Sequence, residues 1–366
     1  MARTQRLRQI PVAGIVNLDA CHLTLVVPEL FWAIQGEYQP HTKKTIKLPA
    51  ALKKLLARSW HRPAAEKDYD SRLFELFNIQ TGNQHDIPLA VVICSLEKPV
   101  SPNRYYLFAD PVHLRADRDS IIMLDNKMLD IKAEEADQLI GLINSHFDAD
   151  GIRIEPVAGQ HWCLSMPDVQ KIHTFSLNDV IGQNIRNYLP YGEDSKYWRS
   201  IFNEMQMLLS KSDVNREREA RGDVTINSLW FWGGGVMPAD VKSPWSTVCG
   251  NNELIQGLAK VVGMRCEKTP EGAADWYKLA GEGEHLVVID AARGSRQKSD
   301  IDAWHQMMIQ MEKMWFSPLL DMLKSKQLSS LTAYPNTTSS YHITSELARR
   351  WWKGIFNHKL PPMKPS

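Results

Sequence analysis

Nowhere in the 366 residues do about 18 apolar side chains follow one another, so the sequence offers no membrane-crossing helix. Cysteine is scarce. The five present, Cys21, Cys94, Cys163, Cys249 and Cys266, are never spaced CxxC and never sit beside a paired histidine. That excludes a zinc ribbon or a disulfide-built mini-fold, and predicts reduced, mostly buried thiols in a cytoplasmic protein. An excess of one charge is also missing. Lys plus Arg number 43 against 42 Asp plus Glu, so no net field exists to hold a polyanion by counterion release, which excludes nucleic acid as the main partner. Internal repeats, low-complexity tracts, the P-loop and the dinucleotide fingerprint are all absent. The start MARTQRLRQI is basic, but Asn17, Asp19 and His22 interrupt before an apolar stretch of signal-peptide length develops, so no secretion signal is expected.

What is present is a chain with 43% hydrophobic residues, long enough for two domains or one domain carrying an insertion. HLTLVVPELFW reads as a buried strand closed by proline, and LPAALKKLLARSW as an amphipathic helix near 48 to 60. From 62 to 185 the texture changes to short strands (PLAVVICSL, RYYLFAD, DSIIMLD, GIRIEPV, HWCLSM) around one helix in KAEEADQLIGLINSHF. This segment is expected to be an inserted α+β domain. The flanks, 1–61 and 186–366, alternate strands with longer helices, which predicts an α/β core with a mostly parallel sheet covered on both faces.

Five stretches are candidates for chemistry or binding. In VNREREARGDVTINSLWFWGGG a basic helix end (Arg216, Arg218, Arg221) leads through Asn227 into a strand closed by Gly233, Gly234 and Gly235. Glycines at the carboxyl end of a parallel strand let a ligand approach the backbone, and forked guanidiniums suit a phosphate or carboxylate. These seven residues form the candidate pocket for a small anion; a tight strand exit beside a solvated helix is the alternative. ADPVHLRADRDS gathers Asp110, His113, Arg115, Asp117, Arg118 and Asp119, either a proton-transfer or metal cluster or self-compensating surface pairs. HFDADG lacks the later ligands of a calcium loop and reads as a helix end followed by a turn. Met307, Met308, Met311 and Met314, with Trp304 and Trp315, lie on one expected helix, either as an adaptable partner-binding face or as core. Trp351 and Trp352 beside Arg349, Arg350 and Lys353 suggest a last helix docking on its own domain.

HLTLVVPEL, ADPVHLRADRD, EEADQLIGLINSHF, NEMQMLLSKSDVNREREARG and NSLWFWGGG together resemble bacterial regulatory proteins of the RpfE type, described as phosphoglycerate-mutase-like. A more distant likeness, in VNREREARG, QGLAKVVGMRCEKTPEGA and HLVVID, runs to archaeal-type cofactor-independent phosphoglycerate mutases of the alkaline phosphatase superfamily. The resemblance implies an alkaline-phosphatase-like α/β core with an inserted α+β domain. It also implies two divalent metals and a serine nucleophile between them.

Against that implied pattern, the first strand runs into Pro28, Glu29 and Leu30 instead of an Asp-Gly pair. Only Ser59, Thr42 and Thr45 follow it as hydroxyl residues, none in a nucleophile motif. AARGSRQKSD follows HLVVID with no histidine until His305, and LTAYPNTTSSYHIT offers Tyr334, Pro335 and Asn336 where an Asp-His pair is implied. The expectation is a catalytically degenerate, regulatory or ligand-sensing protein without catalytic residues, metal ligands or cofactor. Two alternatives stand beside it: an active phosphomutase or phosphohydrolase rebuilt on Glu29, Asp290 and Asp300, and a protein-interaction module using the Met- and Trp-rich helices.

Overall fold

The computed structural model describes residues 20–35, 48–63, 68–79, 86–157, 161–293 and 300–350. The basic start, Thr42, Thr45 and the Trp351–Trp352 end of the last expected helix lie outside them. The chain divides into two compact units, the first made of Met1–Ala65, Trp245–Cys249 and Glu267–Ser366, the second of Glu66–Pro244 and Gly250–Cys266.

The first unit is built on a seven-stranded sheet. Its central strand Cys21–Val26 pairs in parallel with Gly283–Val288 on one side and Ser330–Tyr334 on the other. Thr247–Cys249 extends the parallel part, while Ser339–Thr344 and Trp60–Pro63 add an antiparallel edge. The outermost two-residue strand, Cys266–Glu267, falls on the boundary between the units. The parallel strands are near-continuous apolar runs, as strands covered on both faces must be. Leu23, Leu25 and Val287 from them join Trp276, Trp304, Met308, Met311, Trp315 and Leu319 in one core cluster. The Met-rich helix Ile301–Met311 therefore turns its apolar stripe inward, and Met307 and Met314 pack on the same cluster.

The expected amphipathic helix is Ala50–Arg58, with Ala51, Leu52 and Leu55 buried. Pro49 at its N-cap has no side chain to accept the first amides. Glu312 does so instead, taking hydrogen bonds from the N–H groups of Ala51 at 2.6 Å and Leu52 at 3.2 Å. A carboxylate there satisfies two otherwise orphaned donors and meets the positive end of the helix dipole. Glu312 can reach because it opens a π-helical turn, Glu312–Phe316, inserted before the helix Ser317–Ser325.

The second unit is a four-stranded antiparallel sheet ordered Ser228–Gly235, Tyr105–Val112, His161–Met166, Arg153–Val157. Helix Ala133–His146 packs on Arg153–Val157, and Ser195–Ser210 on Ser228–Gly235. PLAVVICSL, expected as a strand, contains the helix Leu89–Cys94, every residue of which is buried. A short run apolar on all sides has no periodicity to separate strand from helix.

The strand Ser228–Gly235 was expected in the parallel core. It pairs antiparallel with Tyr105–Val112 in this second sheet, and helix Glu253–Val261 sets Gly257 against Val92 in the same unit. Residues 186–244 and 250–266 thus fall with the compact unit that the sequence reading ended at 185. The expected set of reduced thiols is corrected as well. Cys94 and Cys163 form a disulfide across a separation of 69 residues, while Cys21 and Cys249 are buried.

Candidate functional site

In open α/β sheets ligands bind outside the carboxyl ends of the parallel strands. In the first unit those ends carry Val27, Pro28 and Glu29 after the central strand, Ile289 and Asp290 after Gly283–Val288, and Pro335 and Asn336 after Ser330–Tyr334. The Val27 amide donates to Tyr334 O at 3.0 Å and the Leu30 amide to Pro335 O at 3.0 Å, so the two exits are laced together by backbone. Asn336 turns its side-chain oxygen onto Ser339, accepting from both its amide and its hydroxyl at 2.9 Å. Glu29 adopts φ 60°, a left-handed conformation rare for a non-glycine residue and enriched where backbone strain serves a site.

The two-metal centre implied by the resemblance needs several carboxylates and imidazoles converging on each ion. Among the described residues no group of three or more His, Cys, Asp and Glu is placed to hold a metal ion. The donor set at these strand ends, one glutamate, one aspartate, a tyrosine and an asparagine, does not fit such a centre.

The seven residues of the expected anion pocket are not brought together. Arg218 is 2% exposed and wholly engaged: it donates to Glu135 at 2.5 Å, to Leu129 O, and through Nε to Val224 O at 2.8 Å. Arg221 donates to the other Glu135 oxygen at 2.5 Å and to Asp223 at 2.9 Å. Arg216 is exposed and paired with Asp213 on its own helix. Asn227 clamps Leu114, accepting from its amide at 2.8 Å and donating to its carbonyl at 2.9 Å.

The glycines lie at the far end of the strand, roughly 20 Å further at 3.3 Å per residue. Their missing side chains make room for the protein itself. A Cβ on Gly234 would stand 2.1 Å from the Tyr105 hydroxyl, and one on Gly235 2.5 Å from Pro88.

Two ionisable clusters that the sequence reading missed lie in this second unit. Asp110 is fully buried in Tyr105–Val112. His161 Nδ1 lies 2.9 Å from both of its oxygens, and the Trp232 indole N–H donates to it at 2.8 Å. Burial opposes charge on His161, yet the hydrogen bond and negative charge of Asp110 outweigh it and hold the imidazole above its ordinary pKa. Phe108 packs against the ring in a tilted arrangement, 4.6 Å between centroids.

Asp86 accepts the Thr174 amide through both oxygens, at 3.1 and 3.0 Å, and the Thr174 hydroxyl, with His173 at 3.7 Å. Burial pushes its carboxyl up against the pull of those hydrogen bonds, and burial also raises the neighbouring Tyr105 phenol. Asp110 had been read as part of a loop cluster with His113. Instead His113 turns to Thr225 O at 2.8 Å, and the signal for the true partner was a charged residue inside an otherwise apolar strand, beside the histidine of HWCLSM.

The model of 2,3-bisphosphoglycerate-independent phosphoglycerate mutase matches residues 95–215. A 2,3-bisphosphoglycerate-independent phosphoglycerate mutase from Methanosarcina acetivorans is 24% identical over 51% of this chain and 49% of its own length. A probable enzyme of the same name from Geobacter sulfurreducens is 26% identical over 49% and 46%. The chain thus spans about half the length of the curated relatives it matches. Among solved structures, the PH0037 protein from Pyrococcus horikoshii superposes with a TM-score of 0.52 at 12% identity, covering 89% of this chain and 88% of that one. The stretch 95–215 is thus similar to the phosphoglycerate mutases, and the mixed α/β fold is like that of the Pyrococcus horikoshii protein.

Proposed function

We propose that this protein is a catalytically degenerate phosphoglycerate-mutase-like protein with a regulatory or ligand-sensing role, of the RpfE type that its sequence resembles. The observation that carries the proposal is the set of residues at the carboxyl ends of the parallel strands. Pro28 and Glu29, Asp290, and Tyr334 to Asn336 stand where the two-metal chemistry of the resembled enzymes would need a full set of carboxylates and imidazoles. One lost ligand can be replaced by a neighbour; loss on three strands removes the charge that holds two dications. The test is interconversion of 3-phosphoglycerate and 2-phosphoglycerate followed by phosphorus NMR with manganese present. No interconversion above the protein-free rate is expected; turnover abolished by chelation would overturn the proposal.

A second reading keeps an active phosphomutase or phosphohydrolase rebuilt on Glu29, Asp290 and Asp300. It is favoured by the left-handed backbone at Glu29 and by the mutase names of the relatives. It requires that Glu29→Ala and Asp290→Ala each abolish the turnover.

A further inference from the structure

In the second unit, register brings three side chains into one row. Tyr106 faces Ser165 across one strand pair and Ser165 faces Arg153 across the next. Residues paired in this way project to the same side of a sheet. In the neighbouring row Cys163 faces Glu155, and its disulfide to Cys94 fastens the end of the helix Leu89–Cys94 over this side. The chain leaving that helix carries Lys98 and Ser101 back toward the row. Between them is a cavity of about 360 Å³, lined by all of these residues and by Arg104 and Asp148. That volume lies at the lower end of the range for small-ligand sites.

The charges lining it are not matched. Lys98 is neutralised by Glu155 at 2.9 Å. Arg104 is held by the protein itself, donating from Nη2 to Gly151 O at 2.7 Å and to Ser165 Oγ at 3.4 Å, which leaves its other N–H donors for a guest. Neither Arg104 nor Arg153 has a carboxylate within ion-pair distance among the described residues, so Asp148 leaves one positive charge in excess. The hydroxyl of Tyr106 accepts the Ser101 amide at 2.8 Å, which leaves its hydrogen to donate.

We propose that this cavity binds a small oxyanion, a compound with one phosphate or carboxylate head, gripped by Arg104 and Arg153 and by the hydroxyls of Tyr106 and Ser165. Two guanidiniums supply forked, charge-assisted donors, and the hydroxyls complete a shell that water would otherwise fill. The site lies wholly within the second unit and stands whether or not the scaffold turns over a substrate. None of its residues belongs to the Arg216, Arg218 and Arg221 group.

The test is isothermal titration of the full chain at low ionic strength with inorganic phosphate and, separately, with succinate. Arg153→Ala is the informative variant, because Arg153 is exposed and makes no ion pair among the described residues, so its loss leaves the fold intact. Arg216→Ala, removing an exposed arginine paired on its own helix, is the control. Saturable binding weakened about tenfold or more by Arg153→Ala and unchanged by Arg216→Ala is the expected result, in line with the loss of a charge-assisted hydrogen bond. Binding of phosphate alone assigns a phosphate head, and binding of succinate alone a carboxylate head. Binding of neither probe, or equal affinity in the wild type and Arg153→Ala, would overturn the proposal.

Discussion

The two units solve the problem of stability differently. In the first, the parallel sheet is closed by volume: Leu23, Leu25, Trp276, Trp304, Met311, Trp315 and Leu319 form one cluster. In the second, the sheet is wired by charge. Asp110 is held by His161 and Trp232, Glu135 by Arg218 and Arg221, and Asp86 by Thr174. A buried ionic group adds little net stability when satisfied, but removing its partner is costly, so such networks fix one arrangement more than they strengthen it. The unit with the parallel sheet has few ionisable groups at its strand ends, and the unit that contains the stretch 95–215, similar to the mutase family, carries the polar wiring.

The sharpest way to break the comparison is to remove volume from one unit and charge from the other. Trp304→Ala deletes a side chain 1% exposed, whose indole donates to Leu30 O at 2.9 Å, and is expected to cost about 4 kcal/mol in urea unfolding. Asp110→Ala strands the Trp232 indole and the His161 ring and should cost about 3 kcal/mol. Hydrogen exchange should place that loss in Tyr105–Val112 and His161–Met166; an equal loss in the first sheet would erase the contrast.

Glu135→Gln is milder, about 2 kcal/mol, because Arg218 keeps its two backbone carbonyl acceptors. Burial disfavours the charged Glu135, but the hydrogen bond from the Lys132 amide and the two arginines hold its pKa below the usual glutamate value. Its contribution is therefore present above that usual value and lost as pH falls through the depressed one, so Glu135→Gln should flatten the acid limb of stability against pH.

The smallest effect is the histidine's. Because the folded pKa of His161 is raised, its pairing with Asp110 stabilises fully below the unfolded histidine value of about 6.5 and fades as pH rises through the folded value. His161→Gln should remove that neutral-range slope and leave the acid limb unchanged. Measurement of urea midpoints from pH 5 to 8 reads it.

Much of the fold was legible because its period was. Strands such as HLTLVV and HLVVID and the helix Ala133–His146 declare themselves by continuous apolar runs or by helical spacing. PLAVVICSL was not legible, since a helix buried on every side has no polar face to set its period. The Gly233 to Gly235 exit looked like a ligand loop because glycine records only that something comes close. Here the neighbours are Tyr105 and Pro88, more than a hundred residues away in sequence. The arginines of VNREREARG misled for a related reason: Glu135, which engages Arg218 and Arg221, lies on another helix, and spacing along one segment cannot reveal it. Asp110 and His161 are likewise joined only across neighbouring strands, and Arg104 and Arg153 only around one cavity.

The proposed function leaves the sheet's carboxyl edge without a metal pair. Its most direct test is elemental mass spectrometry of the full chain after incubation with manganese and zinc and removal of the excess. The account predicts no stoichiometric metal, in the wild type and in Glu29→Ala and Asp290→Ala alike. About two tightly held ions per chain, lost on replacing Glu29 or Asp290, would contradict it and establish a rebuilt two-metal site.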